Sequence, residues 1–304
     1  MAIAMAVHGG AGPDEEHIHE NLEEYKKGLA EAVQAGYKVL ERGGSAVDAV
    51  EAAVKSMEDN PIFNAGRGSA LNSKGEVEMC ASIMKGKNLK AGAVAIVKSV
   101  KNPVSLARYI MENTSYVCMS GEGALEVAKD GNIELEPDAY FITDHQVDTF
   151  LKARNKKSVQ EMMKERVHAT VGAVALDSRG NLAAATSSGG TSNTLPNRIG
   201  DSSQIGCGCY ANNKTCAVSG TGDGEFLIKG VIAHHIASAM EFTGTGIQEA
   251  CELVIHEKNK DIEGDIGVIS IDPQGNFGIA FNSERMHRAW MSSEQPMQVK
   301  IYKE

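Results

Sequence analysis

Two stretches of this chain are built to one plan. Residues 171–186, VGAVALDSRGNLAAAT, and residues 266–281, IGVISIDPQGNFGIAF, each pass from an apolar run through Asp-x-x-Gly-Asn into a second apolar run. Apolar segments on either side of Asp, Gly and Asn turn residues predict β-hairpins, with turns at Asp177–Asn181 and Asp272–Asn276. Paired hairpins require antiparallel or mixed sheets. They exclude a regular alternation of strand, helix and parallel strand.

Helices are predicted in pairs around these sheets. Between residues 16 and 43, Leu22, Tyr25, Leu29, Val33, Tyr37 and Leu40 recur at three- and four-residue spacing, and Gly43-Gly44 stops the run. Ser45 caps a second helix, SAVDAVEAAVKSMEDN, and Pro61 lies just past its end. A glycine-rich loop, FNAGRGSALN (63–72), precedes a strand at 91–100 and a helix at about 103–113. The opening MAIAMAV runs straight into HGGAG and reads as a first strand. Residues 129–168 are charged and read as a connector, with an exposed helix over 148–166. Further on, GCGCYANNKTCAVSGTGDG is a strand pair, GEFLIKGVIAHHIASAMEF one long helix, and IQEACELVIHEKN another.

The 304 residues are 42 % apolar, enough for a sizeable core, and read as a single domain, 1–304. Net charge is −10, which argues against nucleic acid or an anionic membrane as the partner. No stretch approaches the roughly 20 apolar residues of a membrane span. The six cysteines lack ligand-type pairing and read as reduced, buried thiols of a cytoplasmic protein.

At HATVGAVALD (168–177) a threonine stands between the charged connector and the first hairpin. Thr is a common strand opener, and that is one reading. The other is that the chain is cut before Thr170. An N-terminal threonine carries its own base, because a free α-amino group has a pKa of roughly 7.7–8. Its hydroxyl would otherwise be a weak nucleophile. The β-methyl restricts χ1, and the strand behind it holds the backbone.

Neighbouring segments add matching chemistry. ATSSGGTSN offers Ser188 as a hydrogen-bond partner for the Thr170 hydroxyl. PNRIGDS carries Arg198, a fork for a carboxylate, and Asp201, an acceptor for an ammonium. A surface ion pair is the plainer reading of those two. SGTGDGE places Thr221, Gly222 and Gly224 in a loop that opens a helix, where close backbone amides either stabilise an oxyanion or merely cap the helix.

These segments, in this order, resemble the plant-type L-asparaginase/isoaspartyl peptidase family, as do VHGGAG (7–12), GGSAVDAVEAAV (43–54), FNAGRGSALN and LKAGAVA (89–95). The similarity spans nearly the whole chain. It implies an α+β fold, the four-layer αββα sandwich of N-terminal nucleophile hydrolases. It also implies self-cleavage between Ala169 and Thr170 into α (1–169) and β (170–304) pieces, and a homodimer of αβ units. The implied activity is hydrolysis of asparagine and β-aspartyl dipeptides, with no catalytic cofactor. By position, Thr170 is nucleophile and base, Ser188 its hydrogen-bond partner, and Thr221 with Gly222 the oxyanion site. Arg198 holds the substrate carboxylate, Asp201 and Gly224 its amino group, and Asn64 lies near the nucleophile. A structural sodium ion is implied on the backbone carbonyls of Met57, Glu58, Asn60, Phe63, Ala65 and Arg67.

Three positions depart from the family pattern. Ala169 stands where the family has Gly, Ser188 where it has Thr, and Cys80 where it usually has Asp. If the uncut bond needs a backbone geometry open mainly to Gly, the Ala169 methyl costs about 1–2 kcal/mol and slows processing. An uncut relative that binds aspartyl ligands is the alternative from a different class.

Overall fold

The computed structural model describes residues 2–154, 170–261 and 263–303. In chain order the elements are β1 (Ala4–Gly12), α1 (Glu16–Glu20), α2 (Leu22–Glu41), α3 (Ala46–Glu58), β2 (Met79–Lys85), β3 (Ala91–Val97) and α4 (Pro103–Asn113). There follow β4 (Cys118–Ser120), α5 (Gly121–Asp130), α6 (Asp138–Phe141), α7 (Asp144–Arg154), β5 (Val171–Leu176) and β6 (Leu182–Ser188). A 3₁₀ turn, Asp201–Ser203, precedes β7 (Cys209–Ala211) and β8 (Ala217–Gly222). The chain continues through α8 (Gly224–Gly230), α9 (Ile232–Thr243) and α10 (Ile247–Glu252), which runs on as a π-helical segment, Leu253–Lys258. It closes with β9 (Ile266–Ile271), β10 (Phe277–Phe281), β11 (Arg285–Ser292) and β12 (Gln298–Tyr302).

The strands form two sheets flanked by helices. The larger has the order β12-β11-β1-β5-β6-β2-β3-β4, the smaller β10-β9-β8-β7. Among the described residues only the β3–β4 pairing within these sheets is parallel. Alternation along each strand sorts the core. Met5, Val7, Val171, Ala173 and Ala185 face α2 and α3. Their neighbours Ala4, Ala6, Val174, Leu176 and Ala184 face Cys209, Ala217, Ile269 and Ile271 of the smaller sheet. On that sheet's other side Val218, Ile266 and Val268 pack against Ile236, Ala250 and Val254 of the late helices.

Local chemistry explains the predicted elements. In both hairpin turns one Asp carboxylate oxygen gathers two backbone amides. Asp177 Oδ1 accepts from Arg179 and Asn181 at 2.9 and 3.0 Å, and Asp272 Oδ1 from Gln274 and Asn276 at 2.9 Å each. Gly180 and Gly275 take the left-handed φ, +76° and +87°, that each turn requires. Ser45 and Asp48 form a capping box at the start of α3. Gly36 lets α2 approach α3, since a Cβ there would stand 2.8 Å from the Ala49 carbonyl oxygen.

Some expectations change. The helix expected over 16–43 breaks at Asn21, whose side-chain amide donates to the His17 carbonyl at 2.8 Å. The long helix expected after Gly224 breaks at Val231, which adopts a left-handed φ of +46°. That break frees the Ala233 and His234 amides to bond the Cys207 and Gly206 carbonyls. The connector starts in the last turn of α5 and includes α6 and α7. Its stretch from 155 to 169, with the rest of the expected 148–166 helix, lies outside the described residues. All six cysteines are free thiols, but Cys118 is exposed on the edge strand β4 rather than buried.

Candidate active site

Thr170 immediately precedes β5 and is 4 % exposed. Because Val171 pairs with Ser187 across the hairpin, Thr170 comes beside Ser188. Its hydroxyl donates to Ser188 Oγ at 3.3 Å, and the Gly190 amide donates to that same oxygen at 3.0 Å. The Thr170 carbonyl accepts from His8 Nδ1 at 2.9 Å, with the Thr221 hydroxyl 3.5 Å away.

β8 delivers Thr221 and Gly222 to the same end of the sheets. Gly222 has φ +118°, and a Cβ there would lie 2.1 Å from the Asp265 carbonyl oxygen, so only glycine fits. α8 starts at Gly224, where a Cβ would stand 2.7 Å from Asp201 Oδ1 and 2.9 Å from Arg198 Nη2. The backbone at Gly224 therefore lies directly against both charged groups. Arg198 is not a surface ion pair with Asp201. It makes a two-pronged contact with Glu225, 3.1 Å from Nε and 2.7 Å from Nη2.

Asp201 is 3 % exposed, and its Oδ2 has no hydrogen-bond partner. Burial pushes its carboxyl up to about 7, although the Arg198 guanidinium pulls the other way. A buried acceptor without a donor is costly and marks a place for one. Thr170, Ser188, Arg198, Asp201, Gly222 and Gly224 line one pocket, together with Glu78, Cys80 and Thr191. A hydroxyl, a guanidinium and an unpaired carboxyl in one pocket suit a small molecule bearing both a carboxylate and an ammonium.

The remaining residues named from sequence fall as follows. Asn64 is buried, and both ends of its side-chain amide are engaged: Nδ2 donates to the Gly190 carbonyl at 2.6 Å, and Oδ1 accepts from the Ala70 amide at 2.7 Å. It thus braces the turn that follows Ser188. Ala169 lies outside the described residues. Cys80 pairs in register with Ser188, and burial raises its thiol. Sequence reasoning did not pick out Glu78, Glu225 or His8, although the last two stood inside quoted motifs.

Among the described residues no cluster of three or more His, Cys, Asp or Glu side chains is placed to hold a metal ion. The carbonyls after α3 form a different donor set. The Met57 carbonyl accepts backbone N–H groups from Asp59 and Asn60, that of Glu58 from Arg67 and that of Asn60 from Phe63. The Glu58 and Asn60 oxygens each keep a second lone pair. A Cβ at Gly66 would meet the Glu58 oxygen at 2.4 Å, and one at Gly68 the Phe63 oxygen at 2.6 Å. Backbone oxygens are the kind of donor that a hard cation takes.

A family model described as asparaginase matches residues 1–301. The chain is 43 % identical over 309 residues to an isoaspartyl peptidase of Salmonella typhimurium, covering 99 % of this chain and 98 % of that one. It is 42 % identical over 309 residues to an isoaspartyl peptidase of Escherichia coli, covering 99 % and 96 %. Against an isoaspartyl peptidase/L-asparaginase of Danio rerio it is 43 % identical over 302 residues, covering 97 % and 93 %.

Proposed function

The chain belongs to the asparaginase family, and from that premise we propose that it is an isoaspartyl peptidase and L-asparaginase with Thr170 as its nucleophile. One observation carries the reading. The Thr170 hydroxyl shares its pocket with Arg198 and with the buried Asp201, a carboxyl with one oxygen that lacks a partner.

Bound substrate places its α-carboxylate on Arg198 and its α-ammonium between Asp201 and the Gly224 carbonyl. The freed α-amine of Thr170 takes the hydroxyl proton, and Oγ1 attacks the side-chain carbonyl carbon. The Thr221 hydroxyl and the Gly222 amide receive the developing oxyanion. Collapse breaks the C–N bond, and the amine's proton goes to the departing ammonia or amino acid. Water then attacks the aspartyl ester, giving its proton to the same amine. Aspartate leaves, and the proton returns to Oγ1. No step calls on a cofactor.

Maturation uses the same hydroxyl against the carbonyl of Ala169, transferring the acyl group from nitrogen to oxygen before water releases it. The α piece, 1–169, and β piece, 170–304, stay joined as one domain because β1 lies between β11 and β5. The layers follow the αββα order of N-terminal nucleophile hydrolases. Two αβ units pair as a homodimer in the cytoplasm. The carbonyls of Met57, Glu58, Asn60, Phe63, Ala65 and Arg67 hold a sodium ion that stiffens the loop bearing Asn64.

The test compares the protein with its Thr170→Ala variant. Ammonia release from asparagine and aspartate release from a β-aspartyl dipeptide are expected from the first and absent from the second. Turnover that survives the substitution rejects the assignment. A single uncut chain that binds aspartate without turnover favours the binding-protein reading.

A further inference from the structure

The pocket leaves the VHGGAG segment without a task, yet its histidine is fully buried between the two sheets. A backbone carbonyl can only accept, so Nδ1 of His8 carries the proton in its 2.9 Å bond to Thr170. Burial brings the ring down to about 3, so it is neutral near pH 7 and Nε2 holds a lone pair. Ser219 Oγ, 2.8 Å from Nε2, is therefore the donor there. Its approach to the Ala185 carbonyl is longer, 3.4 Å. The Thr186 hydroxyl has one proton to divide between Ser219 Oγ at 2.7 Å and the Gly208 carbonyl at 2.9 Å.

Hydrogen bonds thus run in one direction, Ser219 to His8 to Thr170, from β8 through β1 to the residue before β5. They cross an interface lined largely by apolar side chains. Gly172 makes the crossing possible: a Cβ there would lie 2.0 Å from Ser219 Oγ and 2.4 Å from His8 Nε2. β1 also shifts register against β11 between His8 and Gly10, the kind of bulge that re-aims a side chain near a site.

We propose that His8 is a positioning residue for the Thr170 nucleophile, and that Ser219 imposes the tautomer in which it works. The inference rests on the reading of Thr170 given above. Scission removes the covalent tether on the amino side of Thr170. The carbonyl then becomes the handle that fixes ψ at 170, and with it the direction of the amine and hydroxyl. In the opposite tautomer the Nδ1 lone pair would face the carbonyl oxygen and repel it.

The experiment has two arms. Ser219→Ala should lower kcat about tenfold, the loss of roughly one hydrogen bond, with KM within about twofold. Rates are normalised to the fraction of chains beginning at Thr170, so that slow processing does not pass for slow chemistry. Ser219→Thr, which keeps the donor, should restore most of the rate. In the other arm, nitrogen NMR of labelled histidine should find the His8 ring protonated on Nδ1 in the unaltered protein, with the Nε2–H form appearing in Ser219→Ala. An unchanged kcat in Ser219→Ala, or an Nε2–H ring in the unaltered protein, overturns the proposal. The NMR arm needs no foldable variant and no turnover. Its failure is therefore distinct from a failure of the nucleophile assignment, which Thr170→Ala reports.

Discussion

The β5–β6 and β9–β10 hairpins close with the same Asp-centred turn, but their open ends meet different surroundings. Beside the first lie Ser188 in register, the His8 ring from 162 residues away, and a pocket with Arg198 and Asp201. At the second, Ile266 and Gly267 pair with Gly222 and Thr221, and the Asn282 side chain accepts the Ile266 amide at 2.7 Å. In the proposed mechanism the first hairpin presents the attacking atom, and the second braces the backbone that receives the oxyanion. Identical local chemistry makes both hairpins. Partners distant in sequence make one of them a site.

The largest expected effect breaks the bracing role. In Gly222→Ala the new methyl would have to displace the Asp265 carbonyl, prying β8 from β9 beside the pocket. Removing one oxyanion donor typically costs about 10²–10³ in kcat, and a loss of that size in steady-state assays is predicted here. A near-normal kcat would leave the second hairpin as scaffold alone.

The next prediction concerns pH at the first hairpin's pocket. An ammonium group binds well only when Asp201 is ionised, and with its carboxyl pushed up to about 7 this fraction falls as pH drops below that value. The Thr170 amine must be neutral to act as base, and such amines ordinarily titrate at roughly 7.7–8. Both requirements fail on the acid side. Log kcat/KM should therefore climb with a slope approaching about 2 below pH 7. Asp201→Asn should reduce the slope to about 1 and lower the plateau. An unaltered slope in that variant would exclude Asp201 from ammonium binding.

The smallest effect tests whether the turns are equivalent. Asp177→Ala and Asp272→Ala each strand two turn amides, and each should cost about 1–3 kcal/mol of stability in thermal unfolding. Asp177 should cost more, because its Oδ2 also accepts the amide of Ala46, the first residue of α3, at 3.2 Å. Neither variant should change KM. A KM change in only one would tie that turn to the pocket.

Much of the fold was legible where a short segment carries its own reason. The hairpins, the Ser45 cap and the strand opening the chain all belong to this class. β2 was not, because EMCASIMK is buried on both faces and shows no alternation. β11 was hidden by Arg285, His287 and Arg288, charged or polar residues that the structure buries. The pocket was legible for a related reason. Thr170, Ser188, Arg198, Asp201, Gly222 and Gly224 sit in compact glycine-rich motifs that advertise hydroxyls and charges. Glu225 and His8 were not singled out, since each acquires meaning only from a partner elsewhere in the chain. Asn64 was expected near the nucleophile, but nothing in FNAGRGSALN announces that its amide would be spent on Gly190 and Ala70.

The proposed chemistry of Thr170 requires a break in the chain before that residue. N-terminal sequencing of catalytically active protein tests that directly. The account predicts two sequences, one of them beginning Thr-Val-Gly-Ala. Active material that yields only the unbroken 304-residue chain would contradict it.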